Sequence, residues 1–165
     1  SAQVRITKIV DLIKASKYSI HDLSRSQASK KNEYARHNMP FELGIDYGCR
    51  NFGRGILRQK RFLIMDAKRY RHTVALSDMA GCDIQTHSND YLIAIRKVRN
   101  WLVTEAGARN GAAQQIANQY YAFQEWDYER QIALGASEED IQDYPTSELM
   151  GSMKSWMELG QPPPY

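Results

Sequence analysis

Between Arg61 and Asp66 the chain sets Phe-Leu-Ile-Met, four apolar residues in a row, and closes the run with an acid. A strand with one face in water alternates apolar and polar residues, whereas an unbroken run must be covered on both faces. Such strands belong to parallel sheets whose connections carry helices over each face. The neighbouring segments fit that plan. Val4, Ile6, Ile9, Val10, Leu12 and Ile13 recur at helical spacing among Arg5, Lys8, Asp11 and Lys14, which predicts an amphipathic helix ending near Ser16. Tyr18 to Leu23 reads as a short buried strand. A helix is expected from about Met39 to Phe52, with Asn38 as N-cap, Pro40 in the first turn and Gly53 and Gly55 beyond its end. Cys82 to Thr86 reads as a third strand. Ser88 or Asn89 is expected to cap a helix to about Glu105, with Leu92, Ile95, Val98 and Leu102 as its buried stripe. This alternation predicts an α/β fold of parallel strands with crossover helices.

The last third departs from that order. Ala112 to Leu134 reads as one long helix. Ser137-Glu-Glu-Asp140 approximates a capping box for a short one, and Pro145 to Leu159 reads as a final helix before an extended Pro162-Pro-Pro-Tyr165 tail. The expected organisation is an α/β domain over residues 1–106 and a C-terminal helical extension over 107–165. Met150, Met153, Trp156 and Met157 read as packing residues, which could face a second subunit or a partner protein as well as their own core.

The chain has 165 residues, 42% hydrophobic and 25% charged, which places it among globular proteins. Residues 1–100 carry 19 Lys+Arg and 9 Asp+Glu, a balance of +10; residues 101–165 carry 3 and 10, a balance of −7. The basic part favours an anionic ligand such as a nucleotide; mutual packing of the two parts explains the asymmetry equally well. The basic residues are scattered over loops without a reader motif, which disfavours nucleic acid. No apolar run has the length of a bilayer span and no signal peptide is visible, so no membrane contact and a cytoplasmic location are expected. Cys49 and Cys82 are expected to be reduced thiols. His37, His72 and His87 lack metal-ligand spacing, so no metal is expected. The chain has no P-loop, GxGxxG or GxSxG pattern.

In an open parallel sheet, ligands bind beyond the carboxyl ends of the strands. Three sets of residues are expected there: Asp22, Ser24 and Arg25 after the first strand, Asn38 and Glu42 at the opening of the next helix, and Asp66 after the second strand. A carboxylate in a first helical turn is stabilised in its charged form by the free N–H groups and the positive end of the helix dipole. Glu42 is expected to profit in this way, whether as a nucleophile, as a ligand for ribose hydroxyls or as an ordinary first-turn acid. His21, alternating with Ile20, reads as a packed, hydrogen-bonded core histidine.

Ser16-Lys-Tyr-Ser-Ile-His-Asp-Leu-Ser24, Asn38-Met-Pro-Phe-Glu-Leu-Gly44 and Lys60-Arg-Phe-Leu-Ile-Met-Asp66 together resemble the superfamily that unites nucleoside 2-deoxyribosyltransferases with the TIR-like nucleotide-binding proteins of bacteria. The resemblance covers roughly residues 5–66, with weaker support to residue 102, and implies that the α/β domain over residues 1–106 is a nucleotide-binding-like domain with a Rossmann-like parallel sheet. It implies N-glycosidic chemistry on a nucleoside, a nucleotide or NAD as substrate rather than cofactor, in a setting such as bacterial defence. It casts Glu42 as the catalytic carboxylate, Asp22 as a contact to base or sugar, and Ser24 and Asn38 as polar contacts. It equally allows a nucleotide-sensing or oligomerising module without catalysis. Members of the superfamily begin with a strand that has no counterpart before Val4, so the sheet is expected to lack its first, central strand.

Overall fold

The computed structural model describes residues 2–26, 28, 34–69, 76–77, 84–108 and 111–163. Lys30, Lys31, Arg71, His72, Asp78, Cys82 and Asp83 lie outside the described residues. The chain divides into two compact units, residues 1–110 and 111–165.

The first unit is mixed α/β. Helix α1 (Ala2–Ala15) leads into strand β1 (Tyr18–Asp22), helix α2 (Asn38–Phe52), a 3₁₀ turn (Gly55–Gln59), strand β2 (Arg61–Asp66), strand β3 (Ile84–Thr86) and helix α3 (Tyr91–Ala106). The strands form one open sheet in the order β1-β2-β3. Both pairings are parallel; Tyr18 stands opposite Arg61, Asp22 opposite Met65 and Asp66 opposite Thr86. β1 and β2 are direct neighbours, so the sheet has no gap at its centre. Among the described residues a further strand could join only at an outer edge.

Side chains alternate across a strand, and this alternation assigns the two faces. Ser19 and His21 reach Asp46 of α2, and Leu23 forms a core with Leu43 and Ile64, against which Met39, Phe62 and Ile84 pack. On the other face Tyr18 meets Trp101 of α3 edge-on, with ring centroids 6.0 Å apart, and its hydroxyl donates to the Glu105 carbonyl at 3.2 Å. β2 is therefore covered on both sides, as its unbroken apolar run requires; Leu63, Ile64, Met65 and Asp66 are all buried. β1 differs from expectation. Within it only His21 is buried and Ile20 is 43% exposed, because β1 is an edge strand.

Two helix starts also differ. The N-cap of α2 is His37, which makes no side-chain capping bond, so Asn38 lies inside the helix. Pro40 permits this, since its missing N–H is one that a first turn leaves unpaired anyway. The N-cap of α3 is Asp90, whose carboxylate accepts from the backbone of Leu92 at 2.8 Å and Ile93 at 3.0 Å. Ser88 and Asn89 instead form a left-handed bend, with φ of 53° and 57°.

The second unit is helical: α4 (Ala113–Ala133), α5 (Glu138–Gln142) and α6 (Thr146–Glu158). Phe123 and Trp126 of α4 enclose Trp156 of α6, with Leu149 and Met153 packed around them. Met150 and Met157 lie on the exposed side of α6, so the four-residue apolar stripe splits between core and surface. Ser137 and Asp140 complete the capping box of α5, and the hydrogen bonds from the Ser137 hydroxyl and backbone hold the Asp140 carboxyl below its usual range.

Candidate functional site

The carboxyl edge of the sheet brings together Asp22, Ser24, Asp66 and His87. Asp22 ends β1 with its side chain 48% exposed. Its Oδ1 accepts the Ser24 N–H at 2.9 Å, closing a tight turn, and faces His87 Nε2 at 3.4 Å. His87 directly follows β3 and is tied to the sheet by its own N–H, which donates to the Asp66 carbonyl at 3.1 Å. Arg25 lies exposed in the same turn, its carbonyl accepting the Arg36 N–H at 2.8 Å.

Asp66 ends β2 and is completely buried, and among the described residues neither carboxylate oxygen has a hydrogen-bond donor. A carboxylate accepts hydrogen bonds only, and burial without a donor is costly. Such a group calls for a physical role.

Asn38 and Glu42 both lie on α2. One helical turn apart on α2, they line an open groove of about 220 Å³ with Phe41 and with Arg5, Ile6 and Ile9 of α1. No hydrogen bond or ion pair joins them to Asp22, Ser24 or Asp66. Glu42 is not in the first turn, which contains no acid. With His37 as N-cap, the free N–H groups lie before Glu42, and the expected stabilisation by them does not apply. A larger cavity of about 430 Å³ lies between the sheet and α3, lined by Leu63, Gln85, Lys97, Asn100, Trp101 and Thr104. None of the expected site residues borders it.

Beneath α2 runs a buried polar network. Asp46 Oδ2 accepts from the Ser19 hydroxyl and bonds His21 Nε2 at 3.0 Å, while Oδ1 faces Lys60 Nζ at 3.1 Å. Lys60 also donates to the carbonyls of Ile13 and Ser16, where a cation complements the end of α1. Burial alone would raise the Asp46 carboxyl; hydrogen bonds with His21, Ser19 and Lys60, together with the Lys60 charge, outweigh it and hold the group below the usual carboxylate range. Lys60 is 1% exposed and Asp46 fully buried, so this network supports the fold rather than meeting a ligand.

Sequence reasoning missed three of these residues. Asp46 was detectable, since it continues the stripe of Met39 and Leu43 that packs on the sheet. Lys60 was not, because a lysine before a strand ordinarily reads as solvated. For His87 the sequence offered only its spacing to other histidines; its contact with Asp22 depends on the pairing of β3 with β2.

Among the described residues no group of three or more His, Cys, Asp or Glu side chains is arranged to hold a metal ion. No helix among them is long and apolar enough to cross a membrane. Set beside known protein families, curated proteins and solved structures, the chain matches none of them.

Proposed function

We infer that the chain binds a nucleoside or nucleotide at the carboxyl edge of a Rossmann-like sheet. The observation that carries the reading is the pair of aspartates at that edge: Asp22 is half-exposed and held by Ser24 and His87, and Asp66 is buried with no donor among the described residues. Carboxylates at strand ends suit the hydroxyl and amino groups of a nucleoside. The resemblance of Tyr18–Ser24 and Asn38–Gly44 to deoxyribosyltransferases and TIR-like proteins supports the same ligand class, and a role in bacterial defence rests on that resemblance alone.

In the catalytic form of this reading the ligand is cleaved at its N-glycosidic bond. Glu42 supplies a carboxylate against the positive charge that develops at the anomeric carbon, and water takes the place of the departing base. The groove holding Glu42, Asn38 and Arg5 has room for a sugar-sized group. In a second form of the reading the edge binds its ligand without cleaving it, and the helical unit or a partner protein responds to it.

Incubating the protein with nucleosides, nucleotides and NAD and measuring free base separates the two forms. Base release that falls at least about 100-fold in Glu42→Gln supports catalysis. Saturable binding without release supports sensing. Neither binding nor release across the panel overturns the reading.

A further inference from the structure

Along the sequence the basic residues look dispersed, but the fold collects several of them at one edge. Between Asp46 and Asp66 the chain has five, Arg50, Arg54, Arg58, Lys60 and Arg61, and no acid. α2 returns the chain from the end of β1 to the start of the parallel β2, so its last turn lies at the amino edge of the sheet, opposite the aspartates. The Arg50 guanidinium lies 4.3 Å from the centroid of the Phe62 ring and 5.3 Å from that of Tyr47. Arg58 Nε donates to the Gly53 carbonyl at 3.1 Å. A Cβ at Gly53 would lie 2.7 Å from that of Leu57, so the absence of a side chain lets this turn draw tight. The Arg61 N–H donates to the Lys17 carbonyl at 2.9 Å, which brings Lys17 to the same edge, and Glu105 is an acidic neighbour 3.4 Å from Arg61. Two apolar side chains stand out of this basic surface: Phe52 is 88% exposed and Ile56 is 69% exposed. Single exposed apolar residues are ordinary. An aromatic ring and a branched side chain on one tight turn, framed by Arg54 and Arg58, make a surface with two chemistries.

We propose that this amino edge binds single-stranded nucleic acid, with Phe52 stacking on a base and Arg54, Arg58 and Lys17 meeting phosphates. Lys60 is buried in its ion pair, so the cations that the 47–65 stretch presents are all arginine. The planar fork of arginine matches a phosphate through two hydrogen bonds. An anionic lipid surface draws lysine and arginine alike. Stacking on an exposed ring requires a base with a free face, which a single strand offers and the interior of a duplex does not. The cavity of about 430 Å³ shares Phe62 and Glu105 with this edge, and Lys97 in its wall extends the positive surface beneath α3. The amino edge is separate from the carboxyl edge and does not depend on the ligand proposed there.

Fluorescence anisotropy of the full chain with labelled strands of about 12 nucleotides tests this. A mixed-sequence RNA or DNA strand should bind at least about 5-fold more tightly than an abasic strand of the same length. The gap should close to about two-fold or less in Phe52→Ala, whose urea midpoint should stay that of the wild type because the ring is exposed. Arg54→Gln should weaken both strands alike and lower the slope of log Kd against log salt by about 0.7. Saturating free nucleoside should leave strand binding unchanged; competition would place the strand at the carboxyl edge and overturn the inference. Equal affinity for base-bearing and abasic strands overturns it as well, since the surface then recognises charge alone. So does a gap that survives Phe52→Ala, or a duplex that binds more tightly than its single strands. Failure to bind any strand at about 50 mM salt overturns it too. Binding to phosphatidylserine vesicles that is lost in Phe52→Ala would, in that last case, make the edge a lipid-facing one.

Discussion

Lys60 and Asp46 enter the folded interior as a pair, and neither is tolerable there alone. An ammonium and a carboxylate removed from water lose hydration that only close partners can replace. Asp46 has Ser19, His21 and Lys60; Lys60 has Asp46 and two carbonyls of α1. Asp46→Asn leaves the ammonium buried without its counter-charge and should cost about 3–5 kcal/mol in urea unfolding at neutral pH. The same group sets a pH dependence. Its folded pKa lies below the unfolded value of about 3.9, so its contribution is complete above that value and is lost as pH falls through the lower folded one. Urea midpoints measured between neutral pH and about pH 2 should show the wild-type advantage over Asp46→Asn shrinking across that acid range. At this scale the sequence was partly legible. His21 reads correctly as a packed, hydrogen-bonded histidine, and its partner Asp46 lies on a recognisable stripe. Asp22 and Asp66 can be placed at strand ends from the apolar runs before them. The burial of Asp66 and the engagement of Asp22 by His87 depend on pairings that no local pattern encodes.

Elements were more legible than their ends. The 3.6-residue periodicity of α1 and α3 and the unbroken run of β2 survive any ambiguity of a residue or two. The caps do not, because Ser, Asn and Asp compete for the same position with similar strength. In Ser88-Asn89-Asp90 the last of the three wins, since the first two are used by the left-handed bend that follows β3. At α2 the helix reaches back past the expected Asn38 cap to His37, and that shift moves Glu42 out of the first turn. The two ends therefore respond differently to substitution. Asp90→Ala removes two hydrogen bonds to free N–H groups and should lower stability by about 1 kcal/mol. Asn38→Ala removes no capping bond and should stay within about 0.5 kcal/mol of wild type. Paired denaturation curves of the two variants check both. A large loss at Asn38 would restore it as the cap.

At the scale of the molecule, two units carry opposite charge. Residues 1–110 hold 20 Lys+Arg and 10 Asp+Glu, and residues 111–165 hold 2 and 9. The helical unit depends on a small aromatic centre, where Phe123 and Trp156 lie 5.7 Å apart. Trp156→Ala removes about 3–5 kcal/mol of packing, as much as a core of this size ordinarily supplies. Hydrogen exchange should then lose protection throughout α4 and α6 while β1 and β2 keep theirs; loss spread evenly over both units would show that they unfold as one. Near the other end of the chain, Lys60 links segments separated by 47 and 44 residues through the Ile13 and Ser16 carbonyls. The final turn of α1 thereby seals the floor beneath α2. Fraying of this helix would let solvent reach the buried Lys60–Asp46 pair, so local opening of α1 is a natural starting point for unfolding of the first unit.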